Sequence, residues 1–331
     1  MTEDDTQFGL VLPHFGNRPD PARLLAAAVR AEEAGFDSLW VRDRLVAGAP
    51  HGLELEAGGT TFFEPLVTLA AVASVTRRVS LGTAVLLPNR HPLRLLQEVG
   101  TLWQLSNGRL RLGLGLGVGA QNFEALGISY HEREDLFVET VAVIRQFAGG
   151  GPQTFKGRHV RFDSLEIDPT PGPNLPIYYG GVSPAAVRRA VEYADGWIAG
   201  RLPRDTFLAR MDLLRELTNE SGARLDVLSM PITLVDSGDR RRIAQAGTAI
   251  DLLAKSAEGA RGWIKPRSGR FETIDDLAGL LIAGSPEDCA REVRSSLEAG
   301  VTHLIFDLRL AFSDFEQQFE LIANEVLPAL R

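Results

Sequence analysis

Five consecutive residues, Gly180-Gly181-Val182-Ser183-Pro184, have the chemistry of an anion site. Glycines without a Cβ let backbone N–H groups approach a phosphate, a serine can cap the following helix, and a proline suits its first turn. The same residues also suit a tight turn with an ordinary cap. A Gly-x-Ser-x-Gly nucleophile elbow is not formed, because Ala185 stands where the second glycine is needed. Alternating glycines recur in Gly113-Leu-Gly-Leu-Gly-Val-Gly-Ala120. A dinucleotide fingerprint belongs at the first strand of its fold, whereas three strand–helix units precede this one. The spacing is read instead as a strand end that lets a ring-shaped ligand come close, with Gly115 and Gly117 as contacts.

The charged candidates are Asp43-Arg44 and His14, each just beyond an apolar run. A guanidinium stays protonated, so Arg44 can hold an anion or a reduced, negatively charged ring but cannot shuttle protons. A surface Asp–Arg pair is the competing reading. His14, in Leu12-Pro13-His14-Phe15-Gly16, is either a reactive group or a solvated loop residue. The six histidines, at 14, 51, 91, 131, 159 and 303, show neither H-x-H nor H-E-x-x-H spacing, so no metal site is expected. Cys289 is the only cysteine, which excludes an intrachain disulfide and suits a small buried side chain.

These groups need a scaffold, and the hydrophobic pattern supplies one. Apolar runs expected as strands occur near 8–12, 38–41, 79–87, 109–116, 177–179, 197–199, 227–235 and 302–308, with an amphipathic helix after each. Eight strand–helix units of continuous apolar strands predict an α/β chain folded as a closed (β/α)8 TIM barrel, with a doubly wound open sheet as the alternative. In such a barrel the chemistry sits at the C-terminal ends of the strands, where His14, Asp43, Arg44 and residues 180–183 would gather. Two long excursions, about 149–176 and 236–284, are read as insertions after strands four and seven of one domain, 1–331.

Within the second excursion, residues 260–270 concentrate four cations, a tryptophan and three glycines or prolines. They are expected to form a lid in which Trp263 covers the pocket and Lys265, Arg267 or Arg270 meets an anionic tail or substrate. A mobile solvated loop is the competing reading.

Lys plus Arg number 35 against 43 for Asp plus Glu, a net charge of −8, which disfavours nucleic acid and anionic lipid as partners. No run approaches the roughly 18 apolar residues of a membrane span. Residues 1–7 are acidic and unlike a signal peptide, so a cytoplasmic protein with a small-molecule substrate is expected.

Taken together, the motifs resemble the bacterial luciferase-like monooxygenase superfamily of FMN- and F420-dependent oxidoreductases. The resemblance rests on Ala31-Glu-Glu-Ala-Gly-Phe-Asp-Ser-Leu-Trp-Val-Arg-Asp43, on Arg78-Val-Ser-Leu-Gly-Thr-Ala-Val-Leu-Leu-Pro88 with Arg90-His91-Pro92, and on Leu105-Ser-Asn-Gly-Arg109 leading into the glycine run. Gly180-Gly181-Val-Ser-Pro-Ala-Ala with Ala194-Asp-Gly-Trp197, and Gly284-Ser-Pro-Glu-Asp288 with Ala299-Gly300, extend it over most of the chain.

The resemblance implies a ring at the barrel mouth against Thr83, Ala84 and Val85, with a non-proline cis peptide at Ala84-Val85. It also implies a phosphate on Gly180, Gly181, Val182 and Ser183. The F420 branch is favoured, with FMN as the alternative cofactor. F420 relatives commonly carry a histidine after the aspartate of strand two, where this chain has Arg44, and an acidic residue where it has Asn122. Asp43 and Arg44 are then the catalytic candidates, with His14 and Glu64 as the nearest substitutes for the absent histidine.

The activity implied is F420-dependent hydride transfer to or from a small organic substrate. The alternatives are an FMNH2-dependent monooxygenase acting through a flavin peroxide, and a non-catalytic flavin-binding barrel. A flavin or F420 reductase supplying reduced cofactor, and a homodimer, are the partners left open.

Overall fold

The computed structural model describes residues 6–45, 61–117, 119–236, 238, 240–258, 260 and 262–331. Eight parallel strands close into a barrel: β1 (Gln7–Val11), β2 (Ser38–Val41), β3 (Ser80–Thr83), β4 (Leu110–Gly115), β5 (Ile177–Gly180), β6 (Gly196–Gly200), β7 (Asp226–Ser229) and β8 (His303–Phe306). β1 closes the ring by pairing with both β8 and β2. Both faces of such strands are covered, which is why their sequences are continuous apolar runs. β2, for example, is buried at every position.

The surrounding helices are α1 (Pro21–Glu33), α2 (Pro65–Val75), α3 (Pro92–Leu105), α4 (Arg133–Phe147), α5 (Pro184–Tyr193), α6 (Arg204–Ser221), α7 (Arg240–Glu258), α8 (Pro286–Glu298) and α9 (Phe315–Leu321). Asp20, Glu64, His91, Ser183 and Ser285 each place a side-chain acceptor on a first-turn N–H, ahead of a proline that needs none. Cys289 is buried in α8, and burial pushes its thiol up to about 12, as a packing residue. No helix among the described residues is long and apolar enough to cross a membrane.

The barrel interior is filled around Trp40. A Cβ on Gly9 would meet Trp40 Nε1 at 2.8 Å, and one on Gly82 would enter the indole ring, so two strand glycines make the space. Trp40 Nε1 donates to Ser38 Oγ at 2.7 Å, which lies 2.7 Å from His303 Nε2. His303 is fully buried, and burial, assisted by the Arg111 charge, holds its pKa well below the ordinary value.

Two strand expectations are corrected in detail. The strand expected at 227–235 is two strands. β7 ends at Ser229, Pro231 has no N–H to offer a ladder, and Ile232–Val235 pairs with Leu281–Gly284 outside the barrel. Together with α7 these residues build a second apolar cluster around Ile232, Leu253, Phe271 and Leu281. The strand expected at 79–87 stops at Thr83; the cis peptide bond expected at Ala84-Val85 follows, and Leu86 then rejoins β4 through a bridge to Leu114. The earlier excursion contains an antiparallel hairpin, Gln153–Lys156 with Arg161–Leu165. It follows α4 and precedes β5, so it belongs to the N-terminal end of the barrel, away from the C-terminal strand ends.

Candidate active site

The C-terminal ends of the strands surround a cavity of about 700 Å³. Its floor is the segment after β3, where Ala84, Val85 and Leu87 line the space. The glycines of β4 and β5 explain how that segment fits. A Cβ on Gly115 would lie 2.7 Å from Val85 Cγ2, one on Gly180 would overlap Val85 Cγ1, and one on Gly117 would lie 2.6 Å from Leu87 Cδ2. The alternating glycines therefore make room for the β3 bulge rather than directly for a ring. Gly117 also lines the cavity, whereas Gly115 does not. Thr83 is buried beneath it, donating to Gly113 O and accepting from Gly113 N, both at 2.9 Å. It stitches β3 to β4.

Asp43 and Arg44, at the end of β2, both line the cavity. Asp43 Oδ2 accepts from Leu87 N at 3.0 Å and from Arg90 Nη1 at 2.5 Å. Arg90 Nη2 also donates to Glu64 Oε1 at 2.9 Å. Burial opposes the Arg90 charge, but Asp43 and then Glu64 outweigh it and raise its pKa. Arg44 lies with its Cζ 5.9 Å from the Phe62 ring centroid.

The two substitutes for the missing histidine sit elsewhere. Glu64 caps α2 by accepting from Val67 N at 2.7 Å and does not line the cavity. His14 is fully buried and also absent from the lining. Arg42 N donates to its Nε2 at 2.8 Å, and Nδ1 lies 2.8 Å from Leu12 O. A neutral ring with its hydrogen on Nδ1 satisfies both contacts. Burial pushes the pKa of His14 down to about 4. It is a clip between the ends of β1 and β2.

One wall is built from arginines whose positions are fixed from behind. Arg42, Arg201 and Arg309 all line the cavity. Arg309 Nε donates to the buried Asp307 Oδ1 at 3.0 Å, its Nη2 also reaches Asp307, and Arg201 Nη1 lies 4.0 Å from Oδ2. Burial alone would raise the Asp307 carboxyl; the charge and hydrogen bonds of Arg309, with Arg201 and Arg42 nearby, hold it below the usual range. Arg42 and Arg309 each lie 5.6 Å from the Phe15 ring centroid.

A further part of the wall, at the end of β5 and next to β6, carries the anion motif. Gly180, Gly181, Val182 and Ser183 line the cavity, and Ser183 Oγ accepts from Ala186 N at 3.1 Å as the cap of α5. Gly181 N is committed to Ile198 O at 3.1 Å, and a Cβ there would meet Ala186 Cβ at 2.7 Å. Gly181 is thus required for the close approach of α5. The N–H groups this turn can offer a ligand are those of Val182 and Ser183, at the helix N-terminus. Beside them, Arg189 on α5 pairs with Glu134 on α4 at 2.5 Å, and Arg133 and Tyr130 complete this side.

Trp263 and Ala260 line the cavity, as expected for a cover. The cations expected with them do not: Lys265, Arg267 and Arg270 are exposed, and Arg270 lies 3.7 Å from Glu272. Arg261 lies outside the described residues. The segment is held by α6, where Arg210 donates to Val182 O at 3.3 Å and to Gly262 O at 3.0 Å, and Thr206 Oγ1 accepts from Ile264 N at 2.8 Å.

Sequence reasoning passed over Arg42, Arg90, Arg133, Arg189, Arg201 and Arg309. Arg42 and Arg201 directly follow the last residues of β2 and β6, a position that itself marks the barrel mouth. Arg133 and Arg189 lie on helices, where an arginine has the pattern of a solvated face.

Residues 6–303 match the family model of the luciferase-like monooxygenases. The F420-dependent glucose-6-phosphate dehydrogenase of Nakamurella multipartita is 32% identical, over 94% of this chain and 93% of its own length. The 5,10-methylenetetrahydromethanopterin reductase of Methanolobus tindarius is 25% identical, over 93% and 97% respectively. Among solved structures, an F420-dependent secondary alcohol dehydrogenase in complex with an F420-acetone adduct shares the fold, with a TM-score of 0.80, 23% identity and coverage of 98% of this chain and 99% of that one.

Proposed function

The chain belongs to the luciferase-like monooxygenase family, and from that premise we propose that it is an oxidoreductase moving a hydride between the deazaflavin F420 and a small organic substrate. The observation that carries the reading is one cavity that joins an apolar shelf, Ala84-Val85 with Leu87, to an anion turn at the N-terminus of α5. Such a cavity suits a flat ring with a phosphate on its side chain. Full-length similarity to F420-dependent enzymes supports deazaflavin over FMN. We read residues 1–331 as one domain served by a separate reductase that replenishes reduced cofactor.

The residues present fit such a cofactor. The buried Nε of Arg133, on the cavity wall, has no acceptor in the protein. Val182 and Ser183 would hold the phosphate, and the shelf would hold the ring. F420, when bound, supplies a ring carbon that gives or takes the hydride.

The remaining work falls to side chains. Asp43 positions the shelf by holding Leu87 N and Arg90. Arg44 is a fixed positive charge that stabilises developing negative charge without moving a proton. Arg42, Arg201 and Arg309 present donors whose geometry is set in advance by Asp307 and Phe15. Trp263 covers the apolar end and excludes water.

Titration of the purified protein with F420 and with FMN, read by fluorescence, tests the reading. F420 should bind at least ten times more tightly. Selective binding of FMN would overturn it.

A further inference from the structure

We propose that Arg133 is the side-chain anchor for the carboxylates of the F420 tail, beyond the phosphate; the assignment rests on the function proposed above. Arg133 opens α4, and its guanidinium lies over the Tyr130 ring, with Cζ 3.9 Å from the centroid. Tyr130 is in turn held edge-on by Phe123, at 5.5 Å between centroids. Nη1 donates to Tyr130 O at 2.7 Å. The remaining edge, Nε with Nη2, is the one that grips a carboxylate or phosphate as a fork, and its Nε is buried with no hydrogen-bond partner.

The position of that edge suits a tail rather than a ring. Glu134, the next residue, is bound by Arg189 of α5, at 2.6 Å from Nε. This pair fixes the start of α4 beside the helix whose N-terminus forms the anion turn. Arg133 and residues 180–183 therefore share one end of the cavity, while the shelf after β3 forms its floor. A phosphate held by Val182 and Ser183 would direct an extended tail into the same cavity that Arg133 lines. Stacking on Tyr130 has already removed much of the side chain's conformational freedom, so less is lost on binding.

Affinities of the wild type, Arg133→Met and Arg133→Lys are compared for three deazaflavins: the chromophore without phosphate, the form with phosphate but no glutamates, and the form with several glutamates. The methionine preserves the stem's packing on Tyr130, and thermal unfolding checks the fold. Arg133→Met should bind the polyglutamylated form at least ten-fold more weakly and the other two within two-fold of wild type. Arg133→Lys should recover part of the loss. The salt dependence of binding should also become shallower for Arg133→Met. Equal losses for both phosphate-bearing forms would move Arg133 to the phosphate and overturn the tail assignment. Equal losses for all three forms, or no loss, would overturn it as well. Failure of the wild type to bind any of the three would overturn the proposed function and this assignment with it.

Discussion

Asp43 Oδ2 accepts both Arg90 Nη1, at 2.5 Å, and Leu87 N, at 3.0 Å, so a single carboxylate ties the end of β2 to the bulge that follows β3. The pair is largely buried, with side-chain exposures of 5% for Asp43 and 19% for Arg90. The residue that most resembles a family catalytic group thus has an evident positioning task. Arg90→Met would leave a buried carboxylate without its cation, a change that typically costs about 3 kcal/mol or more. We expect that loss in chemical denaturation, together with weaker cofactor binding. The double variant Asp43→Asn/Arg90→Met should recover much of the stability, because no uncompensated charge remains. Additive losses in the cycle would show that the two residues act independently.

Ser183 Oγ caps α5, and in the proposed site it is the backbone N–H of this residue that would hold the phosphate. Ser183→Ala should therefore lower stability by about 1 kcal/mol and weaken cofactor binding by less than ten-fold. A loss of affinity beyond a hundred-fold would show that the hydroxyl itself, and not the backbone, holds the anion.

Acid should destabilise the protein through its buried imidazoles. His14 and His303 are both held neutral in the fold, with pKa values below the ordinary 6.5. The unfolded chain takes up protons near 6.5, so this stability is complete above that pH and is lost as pH falls towards about 4, the value for His14. For His14 alone the full effect is about 3 kcal/mol. Denaturation midpoints should fall between pH 7 and pH 4.5, and His303→Gln should flatten the slope. An unchanged slope in that variant would show that His303 does not titrate in this range.

Arg210 is the clasp between the cover and the anion turn, bonded to Gly262 O and Val182 O. Arg210→Met should speed tryptic cleavage after Arg267 and Arg270, and cofactor should slow that cleavage in the wild type. Pro266 protects Lys265 from the same protease. Identical rates with and without cofactor would mean that the segment around Trp263 does not respond to the site.

The barrel was legible because its strands and helix starts carry local signals: apolar runs of strand length, and a capping residue followed by proline at α1, α2, α3, α5 and α8. The end of β7 was not, since Pro231 is the one breaker in a mostly apolar run from Val227 to Val235 that reads as a single strand. Within the site, the anion turn and the β3 bulge stood in short contiguous motifs. The roles of Gly115, Gly180 and Gly181 did not, because each makes room for a side chain, Val85 or Ala186, that only the fold brings near. His14 was read as a mouth residue from its place after β1, and no local pattern distinguishes that from a ring clipped by Arg42 N and Leu12 O.

The central claim is that the β3 bulge and the anion turn together form a deazaflavin site. A crystal structure of the protein soaked with F420 tests it most directly. The account predicts the ring against Ala84 and Val85, with the phosphate within hydrogen-bonding distance of the amides of Val182 and Ser183. A ring placed away from that shelf, or a phosphate held elsewhere in the cavity, would contradict it.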